Sequence, residues 1–251
     1  MKLAVMMAAY NAEAHLEAAI RSILGQAQPG LSLDVIVVND GSTDRSGAML
    51  RDMAERHDCI RVIETGNQGV TRARNVALQA LAPDTDLVSF LDADDLIPPK
   101  RYAQDLAVMR AAPTLQLIYG CTMLFREADP DQTGPAQGSQ TATGRTVQLA
   151  AGMYRYAFLR QVGLFNTDFR QAEDMDFLLR MFEQAPQYQV EDRICLYYRR
   201  HGGNMTRKSD ELRRDFARAV LLSIHRRRQA DLPSLPSGLF DLSSLGEALE
   251  W

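Results

Sequence analysis

The sequence lacks several features that would have assigned it to a familiar class of protein. Its three cysteines, Cys59, Cys121 and Cys195, are far apart and odd in number, which argues against a disulfide framework or a zinc cluster. No apolar run approaches the roughly 20 residues of a transmembrane helix. The GxGxxG motif of dinucleotide-binding dehydrogenases is missing after the first predicted strand. Because the short apolar run at 3–9 has no good cleavage site after it, we expect a cytoplasmic protein.

The sequence also lacks a large net charge, although its charged residues are unevenly distributed. The 251 residues carry a net charge of −4, and 46% are hydrophobic, which is typical of one globular domain with or without a short appendage. The stretch 199–228 holds ten Lys and Arg residues against three acids, a local charge of +7 that leaves −11 for the rest. This distribution argues against a nucleic-acid-binding protein, so we expect no nucleic acid partner.

Apolar periodicity alternates along the first half between the patterns of strands and helices. The predicted strands are 3–9, 33–38, 60–63, 87–91 and 115–125, and the predicted helices are 14–24, 43–57, 70–81 and 100–111. This alternation predicts an α/β fold whose central sheet is mostly parallel and covered by helices on both faces.

The second half has a less regular pattern. Residues 128–144 lack periodicity and predict a long loop, which in a compact domain is typically a functional lid or a mobile segment. Further predicted elements follow this loop: a strand at 145–153, helices at 156–162 and 175–183, a strand at 194–198, a basic amphipathic helix at 210–228, and a tail up to 251.

Three carboxylates stand within four residues in the motif Asp92-Ala93-Asp94-Asp95, directly after a predicted buried strand. They repel one another, and nothing about a strand end requires them for folding. A hard cation such as Mg²⁺ or Mn²⁺ would resolve the conflict, and such ions usually also bind a substrate diphosphate. The alternative is a solvated acidic loop in which Asp95 caps a turn.

Other candidate side chains follow neighbouring strands, whose carboxyl ends are where ligands bind in open α/β sheets. Tyr10 follows the first strand, and its flat ring could pack in the protein or stack on a base. A predicted helix begins at Gly69 and carries Arg72 and Arg74 near its start. Its amides and guanidinium groups could hold a phosphate or the acidic loop, or it could be an ordinary helix start.

Five motifs, in this order, resemble those of the inverting family 2 glycosyltransferases, which have the GT-A fold. They are Tyr10-Asn11, Asn39-Asp40-Gly41-Ser42-Thr43-Asp44, Asn67-x-Gly69-x-x-x-Ala73-Arg74-Asn75, Asp92-x-Asp94 and Glu173-Asp174. The resemblance covers residues 3 to about 207. It implies a GT-A domain at 1–209, with a donor-binding half at 1–97 and an acceptor half at 98–209. The region 210–251 is then a basic helix and tail.

The resemblance implies that the first half binds a nucleotide sugar, commonly a UDP-sugar. Tyr10 would stack on the base, Asp40 would accept from the base ring N–H, and Arg72 or Arg74 would steady the base edge or the acidic loop. One departure is Ala8-Ala9, where Thr, Ser or Pro often precedes Tyr-Asn. The nucleotide-sugar site so implied consists of Tyr10, Asn11, Asp40, Asn67, Arg72, Arg74 and Asp92.

The resemblance also assigns metal ligands and a general base. Asp92 would meet the ribose or the metal, and Asp94 would bind the Mn²⁺ or Mg²⁺ that bridges the diphosphate. His201 would be either a third metal or phosphate ligand or a structural residue. Asp174 would be the base, with Glu173 and Asp176 as alternatives because an acid at a helix start also stabilises the helix dipole.

The implied activity is transfer of a single sugar to a glycan or lipid-linked acceptor, because the Gln-x-x-Arg-Trp motif of processive synthases is missing. A nucleotidyltransferase shares the sheet and the acidic loop, although it normally has a Gly-rich loop after the first strand. A binding module that keeps the sugar-nucleotide site without turnover is the non-enzymatic alternative. The basic helix at 210–228 would either contact an anionic membrane from the cytoplasmic side or pack on the body.

Overall fold

A computed structural model describes residues 1–146, 148–204, 209–232 and 234–236. The strands, β1 to β8 in chain order, are Lys2–Ala9, Ser32–Asp40, Ile60–Thr65, Leu87–Phe90, Leu117–Phe125, Thr141–Gly144, Gly152–Arg155 and Tyr188–Arg199. The helices of the described residues, α1 to α7, are Leu16–Leu24, Ser46–Arg56, Val70–Gln79, Arg101–Ala111, Tyr156–Val162, Glu173–Glu183 and Ser209–Gln229.

The first four strands form a parallel half-sheet. β1 lies between β2 and β4, and β3 lies outside β2, with all three pairings parallel. Most residues of β1, β2 and β4 are buried, which matches their continuous apolar runs because both faces of such a sheet are covered. The carboxyl ends of these strands therefore meet at one edge, where the predicted site residues follow them.

The second half extends the same sheet with mixed pairing. β7 is antiparallel to both β4 and β5, while β6 is antiparallel to the end of β5. β8 runs parallel to β5 along its other edge. The sheet is mixed but mostly parallel, so the predicted α/β class is confirmed.

Two segments of the second half differ from their predictions. Within the predicted loop 128–144, residues Thr141–Gly144 form β6. The predicted strand at 145–153 is wrong, because a 3₁₀ turn at Leu149–Ala151 precedes β7. The buried Arg101 guanidinium donates to the carbonyl oxygens of Ala150 (2.6 Å) and Gly152 (2.7 Å) and so fixes this turn. A contact made from 49 residues away has no local signature in the sequence.

The basic helix α7 packs along α6, as the second alternative for this region proposed. Its inner face joins an apolar cluster and carries Arg226, which donates to both carboxylate oxygens of Glu183 (2.7 and 2.9 Å). On its outer face, Phe216 and Leu221 are 39% and 65% exposed. The apolar cluster between the helices contains Phe169, Ala172, Met175, Leu179 and Ala219.

No helix among the described residues is both long and apolar enough to cross a membrane. The predicted tail lies largely outside the described residues, which end at 236.

Candidate functional site

The candidate site lies at the carboxyl edge of the parallel half-sheet. Tyr10 follows β1, Asp40 ends β2, and Asp92 and Asp94 follow β4. His201 follows the end of β8, which forms an isolated antiparallel bridge with the acidic loop at Leu96. The sheet therefore brings together residues as far apart in sequence as Tyr10 and His201.

Asp40 holds the loop between β3 and α3 in place. Its carboxylate accepts hydrogen bonds from the main-chain N–H groups of Gln68 (3.0 Å) and Gly69 (2.7 Å) and from the Thr65 hydroxyl (3.1 Å). The next residue, Gly41, has φ +72°, and a Cβ there would lie 2.6 Å from the nitrogen of Asn67. Only glycine fits this position without moving the backbone. Asp40 is thus a structural anchor at the site where the resemblance implies base binding.

Asn11 joins the first two loops of the site. Its Oδ1 accepts from the N–H of Thr43 (2.8 Å), and its own N–H donates to the Ser42 hydroxyl (3.0 Å). This arrangement places Asn11 at φ +48°, in the left-handed region, which asparagine tolerates better than most residues. The neighbouring Tyr10 remains 49% exposed, so its ring is accessible for stacking.

The two predicted arginines of α3 have different surroundings. Arg72 is exposed, as is Asn67, whereas Arg74 is buried. Arg74 donates through Nη2 to Asp92 (2.7 Å) and through Nη1 to Glu173. Arg74 is therefore the arginine that contacts the acidic loop, and it links that loop to the start of α6.

The side chains of Asp94 and His201 contact each other in the structure. The Nε2 of His201 lies 2.8 Å from Oδ2 of Asp94, which also accepts from the amide of Asn204 (3.3 Å). Because the Nδ1 of His201 accepts from the N–H of Gly203 (3.1 Å), the ring proton of the neutral form belongs on Nε2 and donates to Asp94. The ring of His15 lies beside His201 with 4.9 Å between centroids.

Asp95 is the structural member of the acidic motif. It is fully buried and accepts a hydrogen bond from the N–H of Arg199 (2.9 Å). Burial, together with the nearby charges of Asp94 and Asp92, raises its pKa well above the ordinary value for an aspartate. The motif therefore divides into one buried carboxyl that fixes β8 and two partly exposed carboxylates that face the site.

These groups fit a divalent cation that is shared with a substrate. Within the described ranges, no cluster of three or more His, Cys, Asp and Glu ligands is present. Oδ2 of Asp94 lies 2.8 Å from Nε2 of His201, a nitrogen that can bind a cation only after its ring proton moves to Nδ1. Asp92 is tied to Arg74 on one oxygen. Mg²⁺ in proteins is commonly held by one or two carboxylates, waters and substrate phosphates, so a small protein ligand set suits such an ion.

Three acids lie in the first turn of α6, and two of them are engaged by arginines. Asp176 is fully buried and accepts from Arg180 (2.9 Å) and from Arg226 (3.1 Å). Glu173 accepts from Arg74. Asp174 instead accepts only from the N–H of Met175 (2.8 Å) among the hydrogen bonds found in the described residues. Among these three acids, Asp174 is therefore the one whose carboxylate, including its second oxygen Oδ2, accepts no hydrogen bond from an arginine within the described residues.

The surroundings of Asp174 favour its neutral form. Burial raises its pKa to about 7, the charge of Glu173 adds to the rise, and the Arg74 guanidinium opposes it. A base whose pKa lies near neutral pH is well matched to general-base catalysis. The residue before this pair, Ala172, has φ +55°, an uncommon conformation for a residue with a Cβ.

Reasoning from the sequence missed the contacts of Arg226 on α7 and the position of His15 beside His201. No short motif contains these residues, because each contacts an element far away in the chain. Arg226 could be identified only as one of many basic residues in an amphipathic helix.

Residues 4–162 match the sequence profile described as glycosyl transferase family 2. The chain belongs to glycosyl transferase family 2. The matched span contains the four motifs from Tyr10-Asn11 to Asp92-x-Asp94, while Glu173 and Asp174 lie beyond it. Membership of the family therefore bears on the donor-side motifs more directly than on the choice of base.

Relatives of known name and solved structures agree with this family. EpsJ of Bacillus subtilis (strain 168), an uncharacterized glycosyltransferase, is 30% identical over 222 residues, covering 81% of this chain and 62% of EpsJ. The chain thus spans less than two thirds of the length of this relative. The structure of S. aureus TarS 1–349 with UDP-GlcNAc has a TM-score of 0.70 at 22% identity, covering 93% and 68% of the two chains.

A mannosyltransferase of Pyrobaculum calidifontis, PcManGT, is similar in fold as well. Its structure with GDP-Man and Mn²⁺ has a TM-score of 0.68 at 18% identity, covering 93% of this chain and 65% of PcManGT. At these identities the two structures establish the fold of this chain, which is the predicted GT-A architecture.

Proposed function

We propose that the protein transfers a single sugar from a nucleotide-diphosphate sugar, with UDP as the nucleotide, to an acceptor hydroxyl, with inversion at the anomeric carbon. The observation that carries this proposal is the contrast among the three acids of α6. Arginines engage Glu173 and Asp176, whereas Asp174 keeps one oxygen free beside the acidic loop and has a pKa of about 7. This is the arrangement expected of a general base that operates near neutral pH.

The donor occupies the carboxyl edge of the parallel half-sheet in this proposal. The exposed ring of Tyr10 stacks on the base, and Asp40 uses its remaining lone-pair capacity to accept from the base ring. Asn67 and Arg72, both exposed at this edge, contact the nucleotide. Arg74 keeps Asp92 oriented toward the ribose or the cation, and Asn11 holds the loops that carry Tyr10.

The cation site consists of Asp94 and His201, with Asp92 as a further ligand. Mn²⁺ or Mg²⁺ bound there would neutralise charge on the diphosphate as it leaves. The hydrogen bond from Asn204 orients the carboxylate of Asp94. Coordination of the cation by Nε2 of His201 would require the ring proton to move to Nδ1 and the contact between Nδ1 and the N–H of Gly203 to be released, since a ligating histidine donates from its other ring nitrogen.

Asp174 accepts the proton of the acceptor hydroxyl at Oδ2. The acceptor oxygen then forms a bond to the anomeric carbon on the face opposite the nucleotide. The bond between this carbon and the diphosphate breaks, and the nucleoside diphosphate leaves with the bonding electrons. One such displacement converts an α-linked donor into a β-linked product.

The division into a donor half at 1–97 and an acceptor half at 98–209 belongs to the same proposal, and we add α7 to the second half because it packs on α6. The acceptor is a glycan or a lipid-linked sugar. If the acceptor is lipid-linked, the exposed arginines and Leu221 of α7 would contact an anionic membrane peripherally. Each basic residue near such a surface contributes about 1 kcal/mol to binding. Salt-sensitive co-sedimentation with phosphatidylglycerol vesicles tests this contact, and no binding at low salt would exclude it.

A panel of UDP- and GDP-sugars, incubated with and without Mn²⁺ or Mg²⁺, tests the main proposal. We expect release of nucleoside diphosphate from a UDP-sugar, loss of turnover in excess EDTA, and recovery on adding either metal. Full turnover in excess EDTA would exclude the cation from the proposal. Once an acceptor is found, an α-linked product from an α-linked donor, seen in the anomeric proton signal by NMR, would exclude inversion.

Two further outcomes would replace the proposal. Release of pyrophosphate from a nucleoside triphosphate and a sugar phosphate would identify a nucleotidyltransferase. Binding of a nucleotide sugar with no turnover, across the panel and a set of glycan acceptors, would identify a binding module.

A further inference from the structure

The segment before Asp174 is held from two sides. Residues 168–172 connect the loop after α5 to α6, and they contain the left-handed Ala172. On one side, the Thr71 hydroxyl of α3 donates to the carbonyl oxygen of Phe169 (3.1 Å). On the other side, α7 supplies Asp215, whose Oδ2 accepts from the main-chain N–H of Gln171 (3.0 Å).

The contact from Asp215 is unusual because it satisfies a main-chain donor that lies directly before the left-handed residue. Gln171 is only 5% exposed, so its N–H would have little access to water if the carboxylate were removed. A buried N–H without an acceptor is costly and favours rearrangement of the backbone that carries it.

Neighbouring contacts of α7 bear on the same segment. Arg218 donates to the carbonyl oxygen of Asp168 (3.0 Å), and its guanidinium lies 4.9 Å from the ring centroid of Phe169. Ala172 and Met175 pack against Ala219 in the apolar cluster between α6 and α7. Residues of α7 thus contact the turn that precedes α6 at several points.

We propose that Asp215 is a positioning residue for Asp174: its carboxylate fixes Gln171 and thereby the left-handed turn at Ala172 that aims Asp174 at the acceptor. The inference rests on the proposed function, because it assumes that Asp174 is the base. Asp174 is the second residue of α6, so its direction is set by the backbone angles of the two residues before it. A displacement of about 1 Å at a reacting group can lower a rate by about 10²-fold.

Asp215 could act through its hydrogen bond or through its charge, and the two can be separated. Its negative charge lies near Glu173 and, like burial, raises the pKa of Glu173. Asn at this position would remove the charge and keep an oxygen that accepts from Gln171. Ala would remove both.

The test compares Asp215→Ala, Asp215→Asn and Glu183→Gln with the wild type. Glu183→Gln is the matched control, because it weakens another contact between α6 and α7, with Arg226. Glu183 lies at the far end of α6, ten residues from Glu173, or about 15 Å along the helix. The readouts are kcat and KM for the donor that the wild type consumes, and amide hydrogen exchange of peptides covering 168–174.

We expect Asp215→Ala to lower kcat at least tenfold with KM for the donor changed less than twofold, and to speed exchange in 168–174. Asp215→Asn should restore most of both, and Glu183→Gln should keep kcat near the wild-type value with exchange raised only at the end of α6. Wild-type kcat in Asp215→Ala would overturn the inference. Equal losses of kcat in Asp215→Ala and Glu183→Gln would also overturn it, because helix packing alone would then explain the loss.

The outcome stays separate from the fate of the proposed function. If the wild type turns over no nucleotide sugar in the panel, the proposed function fails, and the exchange data still show whether Asp215 holds the turn. If the wild type is active and Asp215→Ala keeps its kcat, only the inference fails.

Discussion

Asp40 on the donor side of the site and two acids of α6 on the base side are held by different kinds of partner. On the donor side, Asp40 is bound by main-chain N–H groups of Gln68 and Gly69, which come from a loop next to it in the sheet. On the base side, Glu173 and Asp176 are bound by guanidinium groups from α3, α6 and α7. Amides orient a carboxylate without adding a full charge, whereas arginines also balance it.

This difference explains why a near-neutral pKa arises on the base side. Three acids in one turn of α6 would repel one another, and arginines compensate two of them. Asp174 is left to the combined effect of burial and the Glu173 charge, both of which raise its pKa. The same crowding that makes the turn costly to build leaves one carboxylate able to take a proton near pH 7.

The largest expected effect separates Asp174 from its neighbour Asp176. Asp174→Asn should lower turnover about 10²-fold or more because it removes the basic oxygen, while the Kd for the donor stays close to that of the wild type. Asp176→Asn should keep most of its turnover and lose stability, since its two arginines lose a charged partner. Steady-state kinetics with donor titration checks both, and turnover of the wild type should fall as pH drops below about 7 because the base becomes protonated.

If Asp176→Asn loses more turnover than Asp174→Asn, Asp176 is the base. If both variants keep near-normal turnover, Glu173 is the base.

The next effect concerns the arginine pairs that distinguish the base side. Arg226→Leu leaves Asp176 with only Arg180 and leaves Glu183 without Arg226. We expect a loss of about 3 kcal/mol in the free energy of unfolding, at the lower end for breaking a buried ion pair because Arg180 remains. Arg228→Leu, an exposed change on the same helix, should stay within about 0.5 kcal/mol. Equal losses in urea unfolding would show that the pairs of Arg226 contribute little.

The donor side could be predicted from the sequence because its residues belong to short motifs that directly follow predicted strands. Buried apolar runs predicted the strands, and the polar residues after each run fell at one edge of the sheet. Even there, the anchoring roles of Asn11 and Asp40 were not predicted, because a motif shows which residues are present and not what their side chains accept. Gly41 stood in one of the motifs, but the close approach of Asn67 that requires a glycine there became visible only in the structure.

The base side resisted prediction for a physical reason. The partners that Glu173, Asp176 and Gln171 have on α3 and α7 lie between 44 and 99 residues away in sequence. An arginine of an amphipathic helix has the same local pattern whether it faces water or a buried acid. The sequence left Glu173, Asp174 and Asp176 open as bases because only long-range pairing distinguishes them.

A smaller effect tests the backbone contacts of the donor side. Gly41→Ala places a methyl group 2.6 Å from the Asn67 nitrogen at φ +72°, whereas Gly138→Ala, at φ +79°, meets open space. The left-handed conformation alone costs about 1–2 kcal/mol, so Gly138→Ala should lose about 1 kcal/mol and Gly41→Ala at least about 2 kcal/mol. Donor affinity should fall only in Gly41→Ala. Equal losses of stability in the two variants would show that the backbone near Asn67 can move away from the added methyl group in spite of the hydrogen bonds that hold this loop to Asp40.

The smallest expected effect is a gain in stability at the base. The pKa of Asp174 is raised to about 7 in the folded protein, from an ordinary value of 3.8. Its contribution to stability is therefore complete below about pH 4 and is lost as pH rises through 7, because the folded state then has to accommodate the charge. Asn resembles the neutral carboxyl at every pH. As pH rises from 5 to 8, the free energy of unfolding of Asp174→Asn should therefore increase relative to that of the wild type.

We expect this gain to be about 1 kcal/mol, a fraction of what the full shift would give, because the side chain of Asp174 is partly exposed and solvent screens its interactions. Such a gain is about 2–4 °C in Tm for a domain of this size. Asp129→Asn is the matched control, because hydrogen bonds from Thr133 outweigh the slight burial and lower the pKa of Asp129 from its ordinary value of 3.8. Asp129 is therefore charged in both the folded and the unfolded protein from pH 5 to 8, and the difference in free energy of unfolding between this variant and the wild type should stay constant over that range. A flat difference between Asp174→Asn and the wild type from pH 5 to 8 would mean that Asp174 is charged throughout. The arginines of the base side would then balance all three acids of α6, and the contrast with the donor side would lose its functional meaning.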